Sequence, residues 1–238
     1  MPLPKINTPT YELTLPSNGE KIKYRPFLVR EEKILIMALE TEDQKQITDA
    51  VIQILDSCIM TRGVKIESLA TFDIEYIFLN VRSKSVGETI KVNIICPDDE
   101  NTSVEIPIDL DSIKIKKDKS HTDIVKLDDN LSMKLKYPSM KQFIESNFEA
   151  GKETVSNTME VITSCIDMIY NEEESWNASE STKQELEEFI DQLDTKQFQT
   201  IEKFFDTMPK LSHRVKVKNP KTEVESTVIL EGLAAFFN

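Results

Sequence analysis

The sequence is poor in the residues from which most enzyme and cofactor sites are built. It has only two histidines, three cysteines and five glycines in 238 residues. His121 lies in a polar loop and His213 opens a strand beside Arg214, so both read as structural. No serine stands in a Gly-x-Ser-x-Gly elbow, and no local signature joins a cysteine to either histidine. The glycines, at 19, 63, 87, 151 and 232, are isolated, whereas a phosphate-binding loop needs them clustered so that backbone N–H groups can crowd around the anion. Cys58, Cys96 and Cys165 are odd in number and far apart, which implies no disulfide framework and a reducing compartment. The N-terminus lacks the apolar core of a secretory signal, and no run approaches the roughly 18 apolar residues of a membrane span. The expected setting is a cytoplasm.

What the chain has in quantity is charge. Against 29 basic residues stand 42 acidic ones, a net −13 that repels a phosphate backbone at long range and argues against nucleic acid as partner. Carboxylates this plentiful carry little information about catalysis by their proximity alone. Glu172-Glu173-Glu174 reads as a solvated helix end, and Asp128-Asp129-Asn130 as a hairpin turn, since the alternating ligands of a calcium loop are missing. Zinc needs about four soft or imidazole ligands, and Cys96-Pro97-Asp98-Asp99 offers one thiolate where a zinc ribbon places a Cys-x-x-Cys pair. The expectation is no cofactor and no metal, with a metal-free ribbon-like hairpin as the alternative reading of that turn.

Periodicity divides the chain into alternating β and α stretches. Tyr11 to Leu15 and Ile22 to Tyr24 flank the turn residues Pro16-Ser17-Asn18-Gly19-Glu20 and predict a hairpin. Helical spacing follows over 30–41, with Ile34, Leu35, Met37 and Leu39, and over 43–60; a third helix starts after Thr71 and stops before Gly87. Strands are predicted at 89–96, 103–108, 113–116, 124–127 and 131–137. Pro138-Ser139 opens a helical half whose apolar residues run from Met140, Phe143 and Ile144 through Met159, Ile162 and Cys165 to Ile166 and Ile169. Thr182 and Glu185 have capping-box spacing ahead of Leu186, Phe189, Ile190 and Leu193, and Asp194 or Thr195 caps a helix carrying Phe198, Ile201, Phe204 and Phe205 that ends before Pro209. The chain closes with strands at 213–218 and 223–230 and an apolar tail, Leu233 to Phe237. Hairpins without a repeating βαβ unit predict the α+β class. The expected division is an N-terminal α+β region, 1–137, and a C-terminal helical region, 138–238, or one compact domain of both.

Two segments have a physical case as partner sites. Phe236 and Phe237 are costly to expose unless covered, by this protein's own core or by another. The proline-containing arm with Pro4 and Ile6 can add along another subunit or fray.

The stretch Pro2-Leu3-Pro4-Lys5-Ile6-Asn7-Thr8-Pro9-Thr10-Tyr11-Glu12-Leu13, with Lys23-Tyr24-Arg25-Pro26-Phe27-Leu28-Val29-Arg30-Glu31-Glu32-Lys33, resembles the start of baseplate hub proteins from T-even-type myophages. Val81-Arg82-Ser83-Lys84-Ser85-Val86-Gly87 resembles the region leading into that family's central strands. The likeness is clearest over the first 100 residues or so. It implies a non-enzymatic phage tail protein, described either as a hub subunit or as a hub assembly chaperone, whose partners are other hub or tail proteins. It carries over no catalytic residue. Tyr24, Arg25 and Phe27 become candidates for partner contact, because aromatic and arginine anchors dominate interfaces; the alternative is a strand end packed on the first helix. The rivals to this reading are a tail-associated lysozyme or peptidase, which requires a carboxylate pair or triad assembled by the fold, and a permanent structural adaptor.

Overall fold

The structure is a computed structural model that describes residues 6–140, 142, 154–232 and 235. It is α+β, with six α-helices and eleven strands in small antiparallel sheets among the described residues. The chain forms two compact units, each discontinuous in sequence: residues 1–66, 72–116 and 210–238 make the first, and 67–71 with 117–209 the second.

The first unit begins with the hairpin β1 (Tyr11–Thr14) and β2 (Lys21–Tyr24), in which Leu13 lies opposite Ile22 and both are buried. Gly19 closes the turn at φ +75°, a left-handed conformation that glycine adopts without a Cβ penalty. Helices α1 (Val29–Leu39), α2 (Gln44–Cys58) and α3 (Thr71–Val86) follow. Asp43 caps α2 by accepting from the N–H groups of Lys45 and Gln46 at 2.8 and 3.2 Å, donors that the helix itself cannot satisfy. In α3, Phe72, Ile74, Ile77, Phe78, Leu79 and Val81 are all buried, so the helix is surrounded by core on several sides.

The hairpin β3 (Thr89–Ile95) and β4 (Ser103–Asp109) and the sheet of β5 (Lys114–Lys116), β10 (Lys210–Lys218) and β11 (Glu225–Glu231), ordered β11-β10-β5, share one core. Ile90, Val92 and Ile94 contribute from β3, and Leu211, Val215 and Val217 from β10. β10 starts three residues before the expected His213, and those added residues pair with β5: Lys210 lies opposite Lys116, and Ser212 opposite Lys114. The turn after β3 is bound to the turn after β10. Nδ2 of the fully buried Asn219 donates to both carboxylate oxygens of Asp98, Oδ1 at 3.1 Å and Oδ2 at 3.0 Å, and the Thr222 hydroxyl donates to Oδ2.

The second unit is a sheet of β6 (Ile124–Lys126), β7 (Ser132–Leu135), β8 (Ile166–Tyr170) and β9 (Ser175–Asn177), in that order, with helices α4 (Thr154–Ser164), α5 (Lys183–Asp191) and α6 (Thr195–Thr207). Val125, Met133, Ile166, Ile169, Ile190, Ile201 and Phe204 form its core. The Asp128 turn is as expected, its carboxylate accepting from the N–H groups of Asn130 and Leu131 at 2.7 Å each. Both helix starts also match: Thr182 and Glu185 form a reciprocal capping box, and Asp194 pairs likewise with Gln197.

One expectation is corrected. Ile166 and Ile169, taken as the end of a helix, lie on β8, and the supposed polar loop beyond them holds a turn and β9. Ile162, Ile166 and Ile169 are spaced four and three apart, which imitates a helical stripe. The helix stops at Ser164, where the Ser164 and Thr163 hydroxyls bond back to the carbonyls of Val161 and Met159; such back-bonding weakens a helix. Phe143 and Ile144 lie outside the described residues.

Candidate functional site

The residues singled out at the N-terminal hairpin fall into two groups. Ile6 is 92% exposed, in an extended arm whose Asn7, Pro9 and Thr10 are also exposed. Pro4, Phe236 and Phe237 lie outside the described residues, while Ala235 packs against the core of the first unit. Tyr24 and Phe27, by contrast, are buried. Tyr24 bridges to Ile59, and its ring meets that of Tyr11 at 5.7 Å. The Phe27 N–H donates to the Ser85 hydroxyl at 2.9 Å, tying the chain to the end of α3.

Arg25 links this segment to α1. Its N–H donates to the Cys58 carbonyl at 3.0 Å, and its guanidinium donates to Glu31 at 2.9 Å. Glu31 is only 2% exposed and also accepts from the Arg30 Nε at 2.6 Å and the Leu28 N–H at 2.7 Å. Burial alone would raise its pKa, but the bonds from Arg25, Leu28 and Arg30 outweigh that and bring it down to about 2. A buried carboxylate thus caps α1 from inside the helix and fixes the hairpin to it.

The apolar surface lies one step beyond this group. Leu28, Val29, Ile36 and Met37 are exposed, Met37 by 67% and Val29 by 66%. Val29, Ile36 and Met37 are seven and eight residues apart and share one side of α1, with Lys33 between them. Met37, expected in the buried stripe, is therefore on the solvent side, where Leu35 and Ala38 supply the inner one. Sequence reasoning missed this second stripe because it counted Met37 with the core, left Ile36 out and started the helix at residue 30, one residue after Val29. The signal was the pair Val29 and Ile36, two turns apart.

A second exposed surface is the outer face of the β5, β10 and β11 sheet. Alternation puts Leu211, Val215 and Val217 inward and Lys210, Arg214, Lys216 and Lys218 outward, joined by Lys114 and Lys116 from β5. Lys210 and Lys116 are direct cross-strand partners. Like charges so placed destabilise a sheet.

Groups capable of chemistry are held in structural roles. His121 is sandwiched in the second unit against Phe204 and Tyr137, with ring centroids 5.1 and 5.6 Å away. Thr207 already donates its hydroxyl proton to the Lys203 carbonyl, so at 3.0 Å it accepts from His121 Nδ1, and Nε2 accepts from the Tyr137 hydroxyl at 3.0 Å. The ring is then neutral, and burial followed by the nearby Lys117 charge pushes its pKa down. Asp73, a carboxylate that burial pushes up, is fully enclosed and accepts from the Ser17 N–H at 3.0 Å. Burial raises the Cys58 thiol to about 11 and that of Cys165 to about 12. Cys96 is buried at the end of β3, where Asp99 spends its carboxylate on Thr102. Among the described residues no three His, Cys, Asp or Glu side chains are grouped to hold a metal ion, and no helix is long and apolar enough to cross a membrane. A cavity of about 450 Å³ in the second unit is lined by Lys136, Glu160, Asp167, Asn177, Ser181 and Lys183 among others, and Lys183 is paired with Glu160.

Comparison with families of known proteins places the chain among phage tail structural proteins. It matches the family described as T4 bacteriophage base plate protein over residues 8–238, almost its full length, and it belongs to that family. No curated protein and no solved structure shows a match.

Proposed function

We propose that this chain is a non-enzymatic protein of the baseplate central hub that binds other tail proteins while the hub is assembled in the host cytoplasm. The observation that carries the reading is the family match over residues 8–238. The surface assigned to partner contact is the exposed arm around Ile6 together with Leu28, Val29, Ile36 and Met37 of α1. An apolar helix face flanked by charged residues buries well against another protein and poorly against water. Tyr24, Arg25 and Phe27 serve that surface indirectly by fixing α1 to the hairpin.

The test combines mass spectrometry of purified virions with an affinity pull-down from infected cells. Capture of hub proteins by this chain, with the chain missing from virions, defines an assembly chaperone; capture with stoichiometric presence in virions defines a permanent hub subunit. Capture of no baseplate protein refutes the proposal. Deleting residues 1–10 is expected to reduce capture while changing stability by no more than about 0.5 kcal/mol, because the arm's described residues are largely exposed. A large loss of thermal stability in that truncation would count against the arm as a binding element.

A further inference from the structure

The outer face of the β5, β10 and β11 sheet is at odds with the rest of the chain's charge. It presents Lys114, Lys116, Lys210, Arg214, Lys216 and Lys218, all exposed, and only Glu225 and Glu231 to set against them. Removing this face's net +4 from the chain's −13 leaves −17 on everything else. None of the six cations is in an ion pair among the described residues, although acidic residues outnumber basic ones across the sequence. The register sets Lys116 directly against Lys210, while Arg214, Lys216 and Lys218 recur on alternate residues of one strand and only Lys218 faces a carboxylate, that of Glu225. Other exposed lysines of the same chain are neutralised: Lys91 by Glu105 at 2.6 Å across β3 and β4, and Lys134 by Asp167 at 3.0 Å. The Lys116–Lys210 pair breaks a local rule of cross-strand pairing, and positions that break local rules without an evident compensating gain are where function is looked for.

We infer that this basic sheet face is a docking surface for an acidic protein partner. The inference deepens the proposal above and rests on it for the partner being a protein of the baseplate. Charge complementarity selects the partner's chemistry, because carboxylates approaching this face meet cations of which, among the described residues, none is in an ion pair and only Lys218 has a carboxylate, Glu225, directly across the sheet. Two features favour protein over nucleic acid. Ile229, half exposed and directly opposite Arg214, adds an apolar contact at the middle of the face. Glu225 and Glu231 at either end of β11, together with the −17 carried elsewhere, oppose an extended polyphosphate but serve as rim charges that set register for a folded partner.

The experiment uses the full chain and two probes, a fluorescent poly-glutamate peptide and a DNA duplex of equal length, over about 50 to 200 mM salt. Three variants are compared: the reversal Lys114→Glu/Arg214→Glu/Lys216→Glu, its neutral counterpart with Gln at the same positions, and a control reversal, Lys45→Glu/Lys65→Glu/Lys126→Glu, of equal charge elsewhere. Circular dichroism confirms that each folds. The expected result is peptide binding that weakens with salt, falls about tenfold or more in the face reversal, falls less in the Gln variant, and stays within about twofold of wild type in the control. Equal loss in the control overturns the inference, because net charge alone would then account for it. So do duplex DNA binding tighter than the peptide, self-association abolished by the face reversal, or no peptide binding at all. Pull-down from infected cells separates this inference from the broader proposal. If the reversal leaves capture of baseplate proteins intact, the face is wrong and the proposal stands; if wild type captures none, the proposal falls while the peptide result still decides the affinity of the face for carboxylates.

Discussion

Glu31 offers the sharpest test of how the N-terminal region is held together. The carboxylate is 2% exposed and accepts three hydrogen bonds, two of them from arginines. Its pKa falls from 4.5 to about 2, and at roughly 1.4 kcal/mol per unit the charged form contributes about 3 kcal/mol to folding at neutral pH. A depressed carboxylate stabilises above its unfolded pKa and loses that contribution as pH falls through the folded value. The stabilisation is therefore complete above about pH 5 and disappears toward pH 2. Glu31→Gln keeps the shape and removes the charge, leaving Arg25 nearly buried without its anion. Urea unfolding at pH 7 should show a loss of about 3 kcal/mol, or a melting temperature lower by about 6 to 12 °C. Hydrogen exchange should locate the loss in α1 and the β1 and β2 hairpin. The variant should also lose wild type's extra acid sensitivity between pH 5 and pH 2. A loss under about 1 kcal/mol, with the acid profile unchanged, would refute the account, because the two arginine bonds would then be no better than solvent-screened surface pairs.

Three further outcomes follow from other buried groups. Removing the fully buried Asn219 amide by Asn219→Ala leaves the Asp98 carboxylate without the Nδ2 donor shared by its two oxygens and is expected to cost about 1 to 3 kcal/mol, read by thermal melting. Because His121 is held neutral, its pKa lies below the unfolded value of about 6.5, so its contribution is present above that pH and fades as pH falls through the depressed value. Fluorescence of Trp176, in the same unit, should report acid destabilisation in that window, and His121→Phe should remove it; an unchanged pH profile would sink the neutral-ring assignment. All three thiols are buried, and those of Cys58 and Cys165 are raised to about 11 and 12, so native protein should resist a thiol reagent at pH 8 and react at three sites only in denaturant. Rapid labelling of native Cys165 would contradict its burial.

Much of the fold could be read from local pattern because the decisive residues act locally. Asp43, Thr182 and Asp194 cap the helices they precede, Gly19 and Asp128 form the turns their types predict, and the third helix stops before Gly87, which adopts φ +128°. Patterns that depend on distant partners were less legible. The isoleucines at 162, 166 and 169 fit a helical stripe, and only the pairing of β8 with β7 and β9 makes strand of the last two. Likewise, a division at residue 137 follows composition, while β7 pairs with β8 across it and β10 returns to pair with β5. Non-local pairing leaves little trace in a single sequence, since each strand carries its own alternation but not the address of its neighbour.

The candidate surfaces show the same limit in sharper form. Tyr24, Arg25 and Phe27 have the composition of an interface anchor, but that composition equally suits a buried joint, and what separates the two is whether a partner already lies within the chain. For Arg25 that partner is Glu31, six residues away and recognisable as an N3 acid only once the start of α1 is fixed at Val29. The exposed stripe on α1 fails in the opposite direction. Met37 looks like core when apolar spacing is counted, because a helix with two apolar sides has no polar stripe wide enough to mark which side is out, and the structure puts it with Val29 and Ile36 on the exposed one. The lysines of β5 and β10 alternate along each strand, yet nothing in either strand alone tells of the register that sets Lys116 against Lys210, with neither in an ion pair among the described residues. Unneutralised charge is a property of neighbours, so it becomes readable only when the strands have been brought together.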